Sequence, residues 1–293
     1  MTGAGGFIGR RVSARLSQEG HEVLRVLRPG GHAAAPAGGA AVRLDLSEPG
    51  VIERSVGTGP DVVAHLAAVI PYSVGGDEAR AAALNRRIDE NVFGACARWG
   101  IGAVYASGTS VYGAGDGAAK TESSPTAPVG PYVSAKLAGE ECGARLLGGR
   151  GLPFTVLRIT APYGPGQRAK TVLRLFIERA FRGLPLLYHG TGSRQQDFTY
   201  VEDVADAVAK ACGSGGGVYN ISGGRPVTMR ELAELVVRSV PGCASEAAPS
   251  GEDDPQEGAA ANYSIAKAGA VLGWRPLVSL EEGIKACVRD GPR

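Results

Sequence analysis

The residues Thr2-Gly3-Ala4-Gly5-Gly6-Phe7-Ile8-Gly9 at the head of the chain constrain its fold more than any other segment. The glycine-rich turn runs straight into a helical apolar pattern from Phe7 to Leu16. Gly3 permits a tight turn, Gly6 lets backbone approach a pyrophosphate, and Gly9 lets the helix pack close to a sheet. Amides at that helix start, from Phe7 and Ile8 onward, would hold phosphates. Such a turn follows a buried strand, yet only Met1 and Thr2 precede it. The expectation is a mis-assigned start codon or a trimmed chain. Failing both, the fold has lost a central strand.

A chain of 293 residues is long enough for one large or two intimate domains with a substantial core. The formal net charge is +2 with the charges scattered, so neither nucleic acid nor a membrane surface is indicated. No apolar run approaches the roughly 18 residues of a spanning helix, and no signal peptide is visible, so the expected location is cytoplasmic. The cysteines at 96, 142, 212, 243 and 287 are widely spaced with no CxxC, which reads as reduced thiols rather than a metal site or disulfide frame.

Short apolar runs at 21–27, 41–44, 61–66, 103–107 and 154–159 read as buried parallel strands. Stretches 7–19, 78–98, 132–147 and 171–182 read as helices. This alternation predicts an α/β fold with a doubly wound parallel sheet. Beyond residue 165 the rhythm breaks. A strand at 218–221 returns, and two helices follow with capping boxes at Thr228–Glu231 and Ser279–Glu282. The expected division is a dinucleotide-binding domain over 1–165, with 195–222 returning to it, and a smaller α/β substrate domain from 166–194 and 223–293. The Gly/Ala/Pro-rich loop 28–40 and the acidic loop 241–261, a candidate lid, stand out.

The chemistry is carried by Pro131-Tyr132-Val133-Ser134-Ala135-Lys136. Tyr132 and Lys136 lie one helical turn apart and share a face. An ammonium near a phenol favours the phenolate, so Tyr132 is expected to ionise more readily and to exchange a proton with an alcohol or ketone as hydride moves to or from a nicotinamide.

With these residues the chain resembles an extended short-chain dehydrogenase/reductase of the NAD(P)-dependent epimerase/dehydratase type. The resemblance runs nearly end to end. It includes Asp45-Leu46, the run from Asp61 through His65 to Ala68, Asn85, the run from Tyr105 to Tyr112-Gly113, and Leu157-Arg-Ile-Thr-Ala-Pro-Tyr163-Gly-Pro165. It closes with the run from Asp197 to Asp203 and the segment from Ser264 to Pro276. The resemblance implies that Asp45 and Leu46 bind adenine, that Leu66, Ala67 and Ala68 line the pyrophosphate and ribose, and that Pro162 faces the nicotinamide amide. It also implies that Tyr132 is the acid/base, that Lys136 holds the nicotinamide ribose, and that Asn85 supports the site.

Three departures narrow the function. The usual catalytic Ser or Thr is replaced by Gly108, leaving Thr109 to supply the hydroxyl and Ser107 to act at the strand end. The Asp-Glu pair used for sugar dehydration is replaced by Thr109 and Ser110, which are poor proton carriers, so elimination of that kind is discounted. Donors to a substrate diphosphate are missing, with Ala161 and Gln196 at two of the usual positions. Arg168, Lys170, Arg174 or Arg194 could compensate.

The residue ending the second expected strand is Leu27 rather than an acid, and Arg28 follows, with Arg10 or Arg11 able to assist from the first helix. This favours NADP over NAD. The expected function is hydride transfer at a secondary alcohol or ketone of a sugar nucleotide or related polyol, as epimerase or ketoreductase. The alternatives are a reductase of a non-nucleotide ketone and a non-catalytic NAD(P) sensor. A homodimer through the helices around 78–98 and 132–147 is the expected assembly, with a small molecule as the other partner.

Overall fold

A computed structural model describes residues 1–30 and 40–291. Most of the loop 28–40 lies outside the described residues. The first helix is α1 (Phe7–Gln18), followed by β1 (Arg25–Leu27), β2 (Ala41–Arg43), α2 (Val51–Val56) and β3 (Val62–His65). Next come α3 (Glu78–Trp99), β4 (Gly102–Gly108), α4 (Pro131–Leu146), β5 (Phe154–Ile159), β6 (Ala161–Tyr163) and α5 (Val172–Phe181). Then follow β7 (Leu186–Tyr188), β8 (Gln195–Gln196), β9 (Phe198–Tyr200), α6 (Val201–Cys212) and β10 (Gly217–Ile221). The chain closes with β11 (Val227–Thr228), α7 (Met229–Ser239), β12 (Ala247–Pro249), α8 (Ala266–Leu272) and α9 (Leu280–Asp290).

The main sheet is parallel. β1 pairs with β2, and β10-β5-β4-β3 form the other half. Between the halves stand Met1 and Thr2. Thr2 bridges Val26 on one side and His65 on the other, its amide donates to Ala64 O at 3.0 Å, and Val26 N donates to Met1 O at 2.9 Å. Among the described residues, the central position of the sheet is thus held by this two-residue stretch.

Helices cover both faces, as a buried parallel sheet requires. On one face Val12 and Leu16 of α1 and Val204 and Val208 of α6 pack with Trp274. On the other, Ile88, Val92 and Phe93 of α3 pack on Tyr105, Phe154 and Val156. Each such buried side chain contributes about 1.5–3 kcal/mol. A third core gathers Leu173 and Phe176 of α5, Leu232 and Val236 of α7, and Ile284 of α9. Asp77 caps α3 by accepting from Arg80 N, and Gly100 ends it in a left-handed conformation. Both expected capping boxes are formed, at Thr228/Glu231 and Ser279/Glu282.

Two expectations are corrected. The short irregular stretch expected between the helix at 171–182 and the strand at 218–221 contains α6. Its buried face combines Val201, Val204 and Val208 with Ala205, Ala207 and Ala211, an amphipathic pattern at helical spacing. The acidic loop 241–261 is not a free lid. It contains β12, paired in parallel with β7, and Gly190 N donates to Glu252 O at 2.8 Å while Gln195 N donates to Ala259 O at 2.8 Å. Glu257 accepts from the hydroxyls of Thr191 and Ser193, which fastens the loop again.

Candidate active site

The glycine turn links the half-sheets to the start of α1. Gly3 has φ of 69°, and a Cβ there would lie 2.7 Å from Ala67 N. Gly9 packs against the Gly3 carbonyl with no space for a Cβ. Gly6 is exposed, and no side chain caps α1. The first amides of this 12-residue helix, including those of Phe7 and Ile8, therefore lack side-chain partners on an open face. That is the donor set a dinucleotide pyrophosphate requires, so the residues present fit such a cofactor.

Leu66, Ala67 and Ala68 follow β3 and are half-buried beside the turn. Ala67 N donates to Thr2 Oγ1 at 3.3 Å. Asn85, 2% exposed on α3, grips the next peptide: Val69 N donates to its Oδ1 at 2.7 Å, and its Nδ2 donates to Val69 O at 2.9 Å. Its amide is spent on fixing the segment after β3, so its reach to the site is through backbone. Asp45 is exposed and accepts from Ser47 N and Oγ, which holds its carboxyl below the usual range, while Leu46 is buried. Leu27 is buried and Arg28 is exposed at the end of β1.

Tyr132 and Lys136 sit on the first turns of α4, which Pro131 opens. The Lys136 ammonium is buried. It donates to Ala106 O at 2.9 Å and lies 4.8 Å from the centre of the Tyr105 ring. Burial pulls the Lys136 ammonium below its usual range. The Tyr132 phenol moves opposite to expectation: burial pushes it up, and the Asp89 carboxylate adds to this. The physical reason is that the ammonium is engaged at the Ala106 carbonyl, while burial opposes the phenolate.

At the usual hydroxyl position Gly108 has room. A Cβ would meet only Ser110 Oγ at 3.4 Å and Ile159 O at 3.6 Å. Thr109 is buried beside Tyr263; burial pushes the Tyr263 phenol up, and the neighbouring Thr109 hydroxyl offsets part of this. Ser107 donates to Glu140 Oε1 at 2.5 Å, and Arg158 Nη2 donates to Glu140 Oε2 at 2.7 Å. Ser107 is thereby committed to a buried ion pair. Tyr263, which stacks on Tyr112 with centroids 6.0 Å apart, is a site neighbour that sequence reasoning missed, since it lies far along the chain without a motif of its own.

The substrate-side candidates divide. Ala161, Pro162, Arg194 and Gln196 line one cavity of about 280 Å³ with Tyr163, Thr171, Val172 and Phe198. Arg168 lines a different cavity of about 520 Å³, with Arg10, Arg174 and Asp290. Arg194 is not a free cation: its Nε donates to Asp254 Oδ2 at 2.8 Å and its Nη1 to Gln256 Oε1 at 3.3 Å.

Residues 1–222 match the NAD dependent epimerase/dehydratase family. The chain belongs to this family. Its extended short-chain dehydrogenase/reductase character is shared by the solved structures it resembles. UDP-glucose 4-epimerase of Thermotoga maritima, solved with UDP-glucose, superposes with a TM-score of 0.88 at 28% identity, covering 99% of this chain and 96% of that one. The Thermus thermophilus UDP-glucose 4-epimerase complex with NAD gives 0.86 at 31% identity, covering 99% and 97%. In sequence, a putative UDP-glucose 4-epimerase of Methanocaldococcus jannaschii is 32% identical over 62% of this chain. The match spans only 60% of that relative's length. Among the described residues no helix is long and apolar enough to cross a membrane.

Proposed function

We propose that the chain transfers hydride between a bound NAD or NADP and a secondary alcohol or ketone carbon of a sugar nucleotide or related polyol, as an epimerase or ketoreductase. The observation that carries this reading is Tyr132, half-buried one turn from a Lys136 whose ammonium is fixed on Ala106 O at the end of β4. Ligands of open parallel sheets bind at the carboxyl ends of the strands, which is where β4 delivers Ala106.

The cofactor, when bound, supplies the hydride acceptor and donor. The α1 amides and the Gly3–Gly6 backbone hold its phosphates, and Pro162 and the segment Leu66–Ala68 flank it. Tyr132 takes the proton from the substrate hydroxyl during oxidation and returns it during reduction. Lys136 stabilises the phenolate that forms. Thr109 and Ser110 offer no carboxyl for elimination, which favours redox or epimerisation over dehydration. Arg28, exposed where an acid would read a ribose, favours NADP, and relative affinity for NADP and NAD tests this. A homodimer through α3 and α4 belongs to the same proposal, with sedimentation as its test.

A second reading is favoured by one observation, the Arg194–Asp254 pair. A diphosphate needs charge-assisted donors, and this guanidinium already has a carboxylate. The pair supports a non-nucleotide ketone as substrate. Calorimetry with UDP and dTDP tests it: micromolar binding supports the sugar nucleotide, and none supports the free ketone. Turnover with NADH or NADPH against a panel of UDP-sugars and hydroxyketones tests the common reaction.

A further inference from the structure

A buried hydrogen-bonded chain runs beneath the Tyr132–Lys136 pair, and the function above does not use it. Thr2 Oγ1 accepts from Ala67 N at 3.3 Å and lies 2.7 Å from His65 Nδ1. His65 Nε2 lies 2.9 Å from Asp89 Oδ1, and Tyr105 OH donates to Asp89 Oδ2 at 2.9 Å. His65, Asp89 and Tyr105 are at most 2% exposed. The donors set the direction. With Thr2 donating to Nδ1, the Nε2 proton of His65 points at Asp89. Both Asp89 oxygens are then engaged, one by His65 and one by the Tyr105 hydroxyl.

The chain reaches the catalytic helix through Tyr105. Its hydroxyl holds Asp89 while its ring face lies 4.8 Å from Lys136 Nζ. Gly139, on the same face of α4 as Tyr132 and Lys136, has no room for a Cβ because Asp89 Oδ2 and the Tyr105 hydroxyl press against it. Four titratable groups face the carboxylate, His65 from β3, Tyr105 from β4, and Tyr132 and Lys136 from α4, while Glu140 of α4 acts on Tyr105 and Lys136 alongside it. Cys142 of α4 and Glu90 of α3 lie further round. Glu140 has its own cation in Arg158. Among the described residues Asp89 has no arginine or lysine ion-pair partner.

We propose that Asp89 is a positioning residue for the acid/base pair, a buried counter-charge for Lys136 that acts through Tyr105 and tunes the protonation of Tyr132. The inference rests on Tyr132 being the proton-transfer group. The carboxylate helps keep Lys136 charged and opposes premature loss of the phenol proton, as nearby charges do in a buried site.

The test reads the phenol without needing a substrate. The full chain, labelled with ¹³Cζ-tyrosine, is followed by NMR with and without saturating NAD, and the Tyr132 resonance is assigned by its loss in Tyr132→Phe. Asp89→Asn is expected to raise the Tyr132 phenolate fraction about threefold at a pH below the midpoint, equivalent to about half a pH unit. Asp89→Glu is expected to restore the wild-type fraction. A folded Asp89→Asn with an unchanged fraction overturns the proposal. Should that variant fail to fold, Tyr105→Phe removes the hydroxyl that ties Asp89 to the pair, so the fraction is expected to rise; an unchanged or lower fraction overturns the proposal. Loss of activity in Tyr132→Phe is a separate readout, so failure of the catalytic assignment is distinguishable from failure of this one.

Discussion

The Cα of Gly9 lies against the carbonyl of Gly3, leaving no space for a side chain between the start of α1 and the turn that feeds it. Gly9→Ala must therefore push the helix off the turn. The expected cost is about 2–4 kcal/mol of stability, with loss of cofactor binding. Gly6→Ala is expected to behave differently, because a Cβ there meets only Gly3 O at 3.2 Å and points to the open side. It should lower NAD affinity with little change in melting temperature. Thermal melts and cofactor titration of the two variants check this; equal behaviour would contradict the assignment of the turn.

Gly108 has an extended backbone, with φ of −140° and ψ of 152°, and space for a Cβ. Gly108→Ser should fold normally and present a hydroxyl beside the substrate oxygen. A gain in kcat of about tenfold is expected if that hydroxyl donates in the transition state. Steady-state kinetics of the variant, with its KM, separate this from tighter substrate binding. No gain would mean that Thr109 or Tyr263 already supplies the donor.

Asp254 holds Arg194 at 2.8 Å and is itself nearly buried. Asp254→Asn removes the charge but retains an oxygen acceptor, which frees the guanidinium for an anion. Affinity for UDP should rise about tenfold, the equivalent of about 1.4 kcal/mol. Calorimetry reads this directly, and unchanged affinity would show that Arg194 does not face a phosphate subsite.

Much of the scaffold was legible because its signals are local. β5 spans the apolar run 154–159, α1, α3 and α4 fall within a residue or so of their apolar patterns, and both C-terminal capping boxes formed. The α6 helix was missed although Val201, Val204 and Val208 repeat at helical spacing, because it starts directly after β9 at Tyr200 with no side-chain cap to mark its beginning. Asp89 was missed for a different reason. A carboxylate in a helix beside Glu90 looks solvated, and only the packing of α3 on β4 and α4 buries it against Tyr105 and His65. The expected easing of Tyr132 ionisation failed because sequence spacing puts Lys136 on the same face but says nothing about burial or about Ala106 O.

Asp197 offers a pH test outside the acid/base pair. It is 2% exposed; Thr160 Oγ1 and Gly223 N donate to its Oδ1, while its Oδ2 has no hydrogen-bond partner among the described residues. Burial raises its folded-state pKa above the unfolded value. A group raised in this way stabilises the fold below the unfolded carboxyl range, near pH 4, and that contribution is lost as pH rises through the folded value. Asp197→Asn removes the titration. Its stability relative to wild type should therefore improve between pH 4 and pH 7, by about 1–2 kcal/mol. Denaturant melts at the two pH values check this, and parallel curves would contradict it.

The central claim is that Tyr132 carries the proton when hydride moves. The direct measurement is hydride transfer, followed by the near-ultraviolet absorbance of the reduced nicotinamide, in wild type and Tyr132→Phe with a substrate that turns over. A fall of about 10²–10⁴-fold with unchanged cofactor affinity is predicted. A Phe variant that retains the wild-type rate would contradict the claim.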